Sequence, residues 1–261
     1  EAADVILTDD NFATVVSAVE EGRRIYDNIL KVIQFLISCN IGEVIVLFLA
    51  TLLTPLLAKW FGISDPTMIE VLLPIHILWI NLVTDSLPAL ALAVDPAEKD
   101  IMNRKPTKNG KGIFTKGMTW RIVYQGVMIG LLTLAAFIIG LSTKNVPEVA
   151  GMSNEQVRVS IGQTMAFIVL ALSELVHVFN VRNNGVSLFK TKVFNNKTLL
   201  LAILGSAALM FVILFVPALQ NIFAIVPLPV ENIIETVLLV LAPLVIVEIF
   251  KLFKINTIKG E

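Results

Sequence analysis

Six oxygen-bearing side chains sit where an apolar setting should exclude them. Asn40 and Glu43 interrupt the run ISCNIGEV, Asn81, Thr84 and Asp85 interrupt WINLVTDSLPAL, and Glu174 interrupts LALSELVHVF. Residues three and four apart share a helix face. Asn40 with Glu43, and Asn81 with Thr84 and Asp85, therefore each turn their oxygens to one side. A carboxylate at bilayer depth is expensive and reads as functional. Three carboxylates, two carboxamides and a hydroxyl facing one another make an oxygen cage, the ligand chemistry of hard cations such as Ca²⁺, which takes roughly six to eight oxygens. Cys39 and His177 adjoin the set, but neither has partners of its own kind, so no thiol or imidazole cluster points to zinc or copper. Pro88 follows Asp85 by three residues. It frees a backbone carbonyl one turn upstream and weakens the helix there, and interrupted helices at midplane are how transporters build ion sites.

A blander reading exists for each residue alone. A single Asn or Thr in a spanning helix is usually a hydrogen-bonding contact between helices. That does not account for six such groups at matched depth in three runs. His76 and His177 read as packing residues, and Glu248 beside Lys251 as a paired or snorkelling side chain. Gly126, Gly130 and Gly205 read as positions of close helix approach.

The elements that must carry these groups follow from composition. Of 261 residues, 56% are hydrophobic and only 16% charged, against ~25% charged in a soluble domain, and mean hydropathy is +0.82. The net charge of −1 offers no basic surface for nucleic acid. The opening EAADVILTDDNF has no basic leader segment, so it does not read as a signal peptide. A spanning helix needs ~20 mostly apolar residues. Six runs qualify: Ile33 to Leu57, Val71 to Val94, Ile122 to Leu141, Ile161 to Val181, Thr198 to Leu219 and Ile233 to Phe253. Lipid-facing backbone must be internally bonded, so these are helices. The fold class is all-α, a six-helix transmembrane bundle.

Of the 20 Lys and Arg, all but Lys59, Lys144 and Arg158 fall on one side of this six-span path. The positive-inside rule places that side, and with it both termini, in the cytoplasm. Ala13 to Lys31 is polar but helix-compatible and is expected to run into the first span as a stalk. Upstream, Ala3 to Leu7 reads as a short buried strand followed by an acidic turn at Asp9-Asp10. A lone strand has no sheet to join, so a cytosolic domain is expected to lie outside this chain. The expected division is residues 1–12 as the end of that domain, 13–32 as the stalk and 33–261 as the membrane domain.

EAADVILTDDNFATVVSAVEEGRRIYDNI resembles the end of the phosphorylation domain and the stalk of type II P-type ATPases. SCNIGEV and WINLVTDSLPALAL resemble transmembrane helices five and six of the sarco/endoplasmic reticulum type of Ca²⁺-ATPase, and DPAEKDIMNRKP the loop after helix six. The resemblance runs from Glu1 to about Pro106 and weakens through the last four spans. It implies that the spans are family helices five to ten, with a stalk and a remnant of the phosphorylation domain. It implies Ca²⁺ as the transported ion, with Asn40, Glu43, Asn81, Thr84, Asp85 and Glu174 as its ligands and Asp85 shared between two ions. Glu174 is carried over on position alone. Ser86 stands where many relatives have glycine, which predicts less unwinding beside Asp85.

The same family hydrolyses ATP through an aspartyl-phosphate. Its motifs DKTGT, TGE and GDGxNDxP do not occur in these residues. Mg²⁺ and ATP are thus expected in cytosolic domains outside this chain, and the partners are the lipid bilayer and an N-terminal part carrying helices one to four. The expected location is the cell membrane of a bacterium. Two alternatives stay open at this stage: the same part of a pump for Na⁺, K⁺ or Mn²⁺, and a non-pumping six-helix channel or carrier subunit.

Overall fold

A computed structural model of the chain describes residues 11–97, 101–104, 113–183, 187–188 and 195–253. The strand expected at Ala3 to Leu7 and the acidic turn after it lie outside the described residues. Helix α1 runs unbroken from Phe12 to Phe61. Asn11 caps its start, its Oδ1 accepting from the Ala13 amide at 3.0 Å. Gly62 ends it with φ +62°, a left-handed conformation suited to glycine.

The second span is built in three pieces. Helix α2 covers Pro74–Trp79, a π-helical segment covers Ile80–Asp85, and α3 covers Ser86–Ala93. The disturbance expected from Pro88 thus takes the form of a widened turn upstream of it, with no break in the helix. The Ser86 hydroxyl also donates to the Asn81 carbonyl, at 2.8 Å. Helix α4 spans Lys116–Leu141, α5 Asn154–Arg182, α6 Lys197–Phe215, α7 Pro217–Ile222 and α8 Val230–Leu252. The fourth span begins a full two turns before Ile161, and a Ser153–Gln156 capping box explains why. The fifth stops at Phe215 because Pro217 starts the separate short helix α7. Six of these helical stretches are long and apolar enough to cross a membrane.

Helix α4 lies between α1 and α5, and α5 packs in turn on α8. Glycines set the first two contacts. A Cβ on Gly126 would lie 2.8 Å from the Ser38 carbonyl oxygen, and one on Gly130 the same distance from that of Gly42. A Cβ on Gly140 would lie 2.4 Å from the Gly162 Cα. Small residues let backbones approach where lipid offers no hydrophobic drive between helices. Gly205 is a correction to the sequence reading, since a Cβ there would meet nothing within 4 Å.

Polar contacts gather at the two ends of the bundle. At one end Asp95, buried, accepts from Lys31 Nζ at 3.1 Å, Arg182 Nε at 2.9 Å and Asn196 Nδ2 at 2.9 Å. Asn28 donates to the Asp95 carbonyl at 2.8 Å, and Arg23 to the carbonyls of Ile101 and Arg104 at 2.8 and 2.9 Å. This end ties the N-terminal half of α1 to the end of α3, the end of α5 and the start of α6. At the other end Glu155 accepts from the Ser64 amide at 2.7 Å, and Arg158 donates to the Phe61 carbonyl at 3.0 Å.

Candidate functional site

The apolar stripe of α1 decides which of its polar groups turn inward. Phe35, Cys39, Glu43, Val46 and Ala50 are all buried, at spacings of three and four. This stripe carries Glu43 into the bundle. Asn40 lies off it and is exposed at the bundle surface, its Nδ2 donating to the Leu36 carbonyl at 2.7 Å. The widened turn of the second span carries the next group. Asn81 is half-buried and donates through Nδ2 to both carboxylate oxygens of Glu43, at 2.8 and 3.0 Å. Thr84 is buried and donates to the Ile80 carbonyl at 2.9 Å. In Asn40, Asn81 and Thr84 the donor end is thus engaged, which leaves the oxygen as the end a cation can use.

Asp85 and Glu174 differ from the rest. Glu174 comes from the C-terminal half of α5, the most enclosed of the spans. Both carboxyl groups are buried, and among the described residues none of their four oxygens has a hydrogen-bond partner. A buried carboxylate without partners is strongly disfavoured unless a counter-charge or a proton joins it. One oxygen from each lies within 4.8 Å of the other and of the Cys39 sulfur. Glu43, Asn81, Thr84, Asp85 and Glu174 therefore sit on α1, the second span and α5 with their polar ends in the bundle, and Asn40 is the one predicted residue that does not.

Sequence reasoning set Cys39 aside. Its four-residue spacing from Glu43 on the buried stripe was the signal that could have included it. The histidines are accounted for locally. His76 accepts from the Leu73 amide at 3.2 Å, its Nε2 lies 2.7 Å from the Phe223 carbonyl, and its ring stacks on Phe167 at 4.3 Å. His177 Nε2 lies 3.2 Å from the Ser38 hydroxyl. Glu248 pairs with Lys251 at 2.9 Å and accepts from Ser187 at 2.5 Å.

Six spans with polar groups enclosed between three of them define an integral multi-pass membrane protein. The chain belongs to the family described as cation transporting ATPase, C-terminus, whose model matches residues 69–253. It is 45% identical over 260 residues to calcium-transporting ATPase 1 of Bacillus cereus, covering 98% of this chain and 28% of that protein. It is 42% identical over 223 residues to a calcium-transporting ATPase of Bacillus subtilis, covering 85% of this chain and 22% of that one. It is 36% identical over 248 residues to the endoplasmic reticulum calcium ATPase srcA of Aspergillus fumigatus, covering 87% of this chain and 24% of that one. The chain thus spans about a quarter of the length of the curated relatives it matches.

Proposed function

We propose that this chain is the cation-binding membrane region of an ATP-driven Ca²⁺ pump. The observation that carries the reading is the pair Asp85 and Glu174: two buried carboxyl groups on different spans, close together and without hydrogen-bond partners among the described residues. Such a pair calls for positive charge between the spans. Ca²⁺ enters as transported cargo. Asp85 and Glu174 bind it directly, Glu43, Asn81 and Thr84 add oxygens from the same enclosure, and Asn40 completes the set from the outer face of α1, where a further helix would have to cover it. The all-oxygen character of these groups fits Ca²⁺, and the relatives are named as calcium-transporting ATPases.

The rest of the pump, with helices one to four and the domains that handle ATP and Mg²⁺, would be supplied by the sequence that the relatives carry beyond this match. In that assembly residues 1–12 close the phosphorylation domain, 13–32 form the stalk and 33–261 the membrane domain. The charge asymmetry along the chain supports cytoplasmic termini, and the two Bacillus relatives support a bacterial cell membrane.

Equilibrium ⁴⁵Ca²⁺ binding to the intact membrane protein tests this. Asp85→Asn should abolish binding, because this carboxylate would touch both ions. Glu174→Gln should remove one ion and leave the second site partly filled. Wild-type stoichiometry and affinity in Glu174→Gln would sink its assignment as a ligand, and unchanged binding in both variants would sink the whole reading.

A further inference from the structure

We propose that Cys39, Asp85 and Glu174 together form a coordination site for a thiophilic divalent cation of the Zn²⁺ and Cd²⁺ class. The inference rests on the reading of Asp85 and Glu174 as cation ligands and adds a sulfur to them. Cys39 is the single cysteine of the chain and is wholly buried. A buried free cysteine alone is ordinarily a small hydrophobic residue, and Cys39 does pack in a cluster with Phe35, Ala89 and Leu92. Its surroundings on the other side are not those of a core residue. Its sulfur and one oxygen each of Asp85 and Glu174 lie within 4.8 Å of one another, and both carboxyl groups are buried without a hydrogen-bond partner among the described residues.

The chemistry of this triplet differs from that of a Ca²⁺ cage. Two oxygens and one sulfur on three different spans make a mixed set of the kind that borderline-soft metals favour, whereas Ca²⁺ gains little from sulfur. A tetrahedral Zn²⁺ with ligands at about 2.0–2.3 Å places them roughly 3.5 Å apart. The three atoms lie within 4.8 Å of one another and therefore need to close by at most about 1.3 Å, within the reach of side-chain rotation. Three protein ligands leave the fourth position for water or for a further oxygen. Sulfur binds as thiolate, so one thiol proton leaves for each metal ion captured. Cys39 is on this account a specificity-determining residue, because it lets a thiophilic cation compete with Ca²⁺ for Asp85 and Glu174.

The test is a Cd²⁺ titration of the intact protein in lipid nanodiscs. It is followed by ultraviolet thiolate-to-metal charge-transfer absorption and by X-ray absorption for a Cd–S bond, with ⁴⁵Ca²⁺ competition alongside. The wild type should show one Cd–S bond and displacement of Ca²⁺. Cys39→Ser should lose both sulfur signatures, and its ratio of Cd²⁺ to Ca²⁺ affinity should fall roughly tenfold or more, the scale on which even outer-shell partners change metal affinity. Cys39→Ala serves the same purpose if the serine variant misfolds. Asp85→Asn should weaken Cd²⁺ binding while the thiol remains. Cd²⁺ bound without sulfur would overturn the inference and leave the Ca²⁺ reading standing. Cd²⁺–sulfur binding unaffected by Asp85→Asn would overturn it as a thiol reaction independent of the carboxylates. Cd²⁺–sulfur binding without any Ca²⁺ binding would keep the inference and overturn the Ca²⁺ reading, and failure to bind either ion would overturn both.

Discussion

Asn81 and Glu43 hold each other across two spans: one carboxamide nitrogen lies 2.8 and 3.0 Å from the two oxygens of one carboxylate, and it also donates to the Ile77 carbonyl at 3.1 Å. The contact fixes which end of the amide is used up, and so turns the carbonyl oxygen of Asn81 away from Glu43. Glu43→Ala and Asn81→Ala should each weaken Ca²⁺ binding, and the double variant should lose less than the two losses added. Contacting residues couple by about 0.5–3 kcal/mol in such cycles. A ⁴⁵Ca²⁺ affinity cycle reads the coupling, and strict additivity would mean that the two groups serve separate purposes.

Asp95 is the second place where removal of one group should be felt. It is buried and gathers Lys31, Arg182 and Asn196 from three different helices. Taking away one member of a buried ionic cluster leaves charges uncompensated and costs about 3–5 kcal/mol. Asp95→Ala should therefore lower the thermal transition of the detergent-solubilised protein sharply, and Asp95→Asn should lower it less. Unfolding followed by tryptophan fluorescence compares the variants, and an unchanged transition in Asp95→Ala would show that the cluster does not hold these helix ends.

Glycines at helix crossings and in open space should separate cleanly. Gly140→Ala places a methyl group 2.4 Å from the Gly162 Cα, so α4 and α5 must part. Overpacking of this kind costs about 1–3 kcal/mol. Gly205→Ala meets nothing within 4 Å and gains helix propensity of up to about 1 kcal/mol. Thermal unfolding of the two variants should shift in opposite directions.

The turn after α1 carries a pH dependence of known sign. Asp65 accepts from the Thr67 amide at 2.9 Å and the Thr67 hydroxyl at 2.7 Å, and these bonds hold its carboxyl below the usual carboxylate range. A carboxyl depressed in the folded state stabilises the turn above its ordinary value of ~3.9, and that contribution is lost as the pH falls through the folded value. The protection of the Thr67 amide, its exchange rate divided into the intrinsic rate at each pH, should therefore persist into mildly acidic solution and fall only in strong acid. Asp65→Asn should remove that acid-dependent fall in protection.

Much of this was legible in the sequence, and the exceptions have physical causes. Apolar run length alone found the six spans, because lipid admits no other backbone in such runs. It misplaced the start of α5, since the capping box at Ser153 sits in polar sequence that a hydropathy count ignores. Within the site, spacing put Asn40 and Glu43 on one face. Residues three apart are separated by about 60° around a helix, and that was enough for α1 to turn Glu43 in and leave Asn40 outside. Cys39 was passed over because a thiol was sought among other thiols, whereas its neighbours in space are carboxylates from other spans. That Asp85 and Glu174 find no hydrogen-bond partner among the described residues could not be read from a sequence, since it depends on what the neighbouring helices bring.

The widened turn at Ile80–Asp85 amounts to one residue more than an α-helix would use over the same arc. One residue of α-helix is about 100° of rotation and 1.5 Å of rise. Were the turn to tighten, α3 and Asp85 would advance like a screw by that quarter-revolution relative to Pro74–Trp79. Asp85 would then swing off the side it shares with Glu174 while both helices kept their length and their backbone bonds. The segment thus holds a phase difference between the two halves of one span, with the Ser86 hydroxyl bonded to the Asn81 carbonyl where the two halves meet.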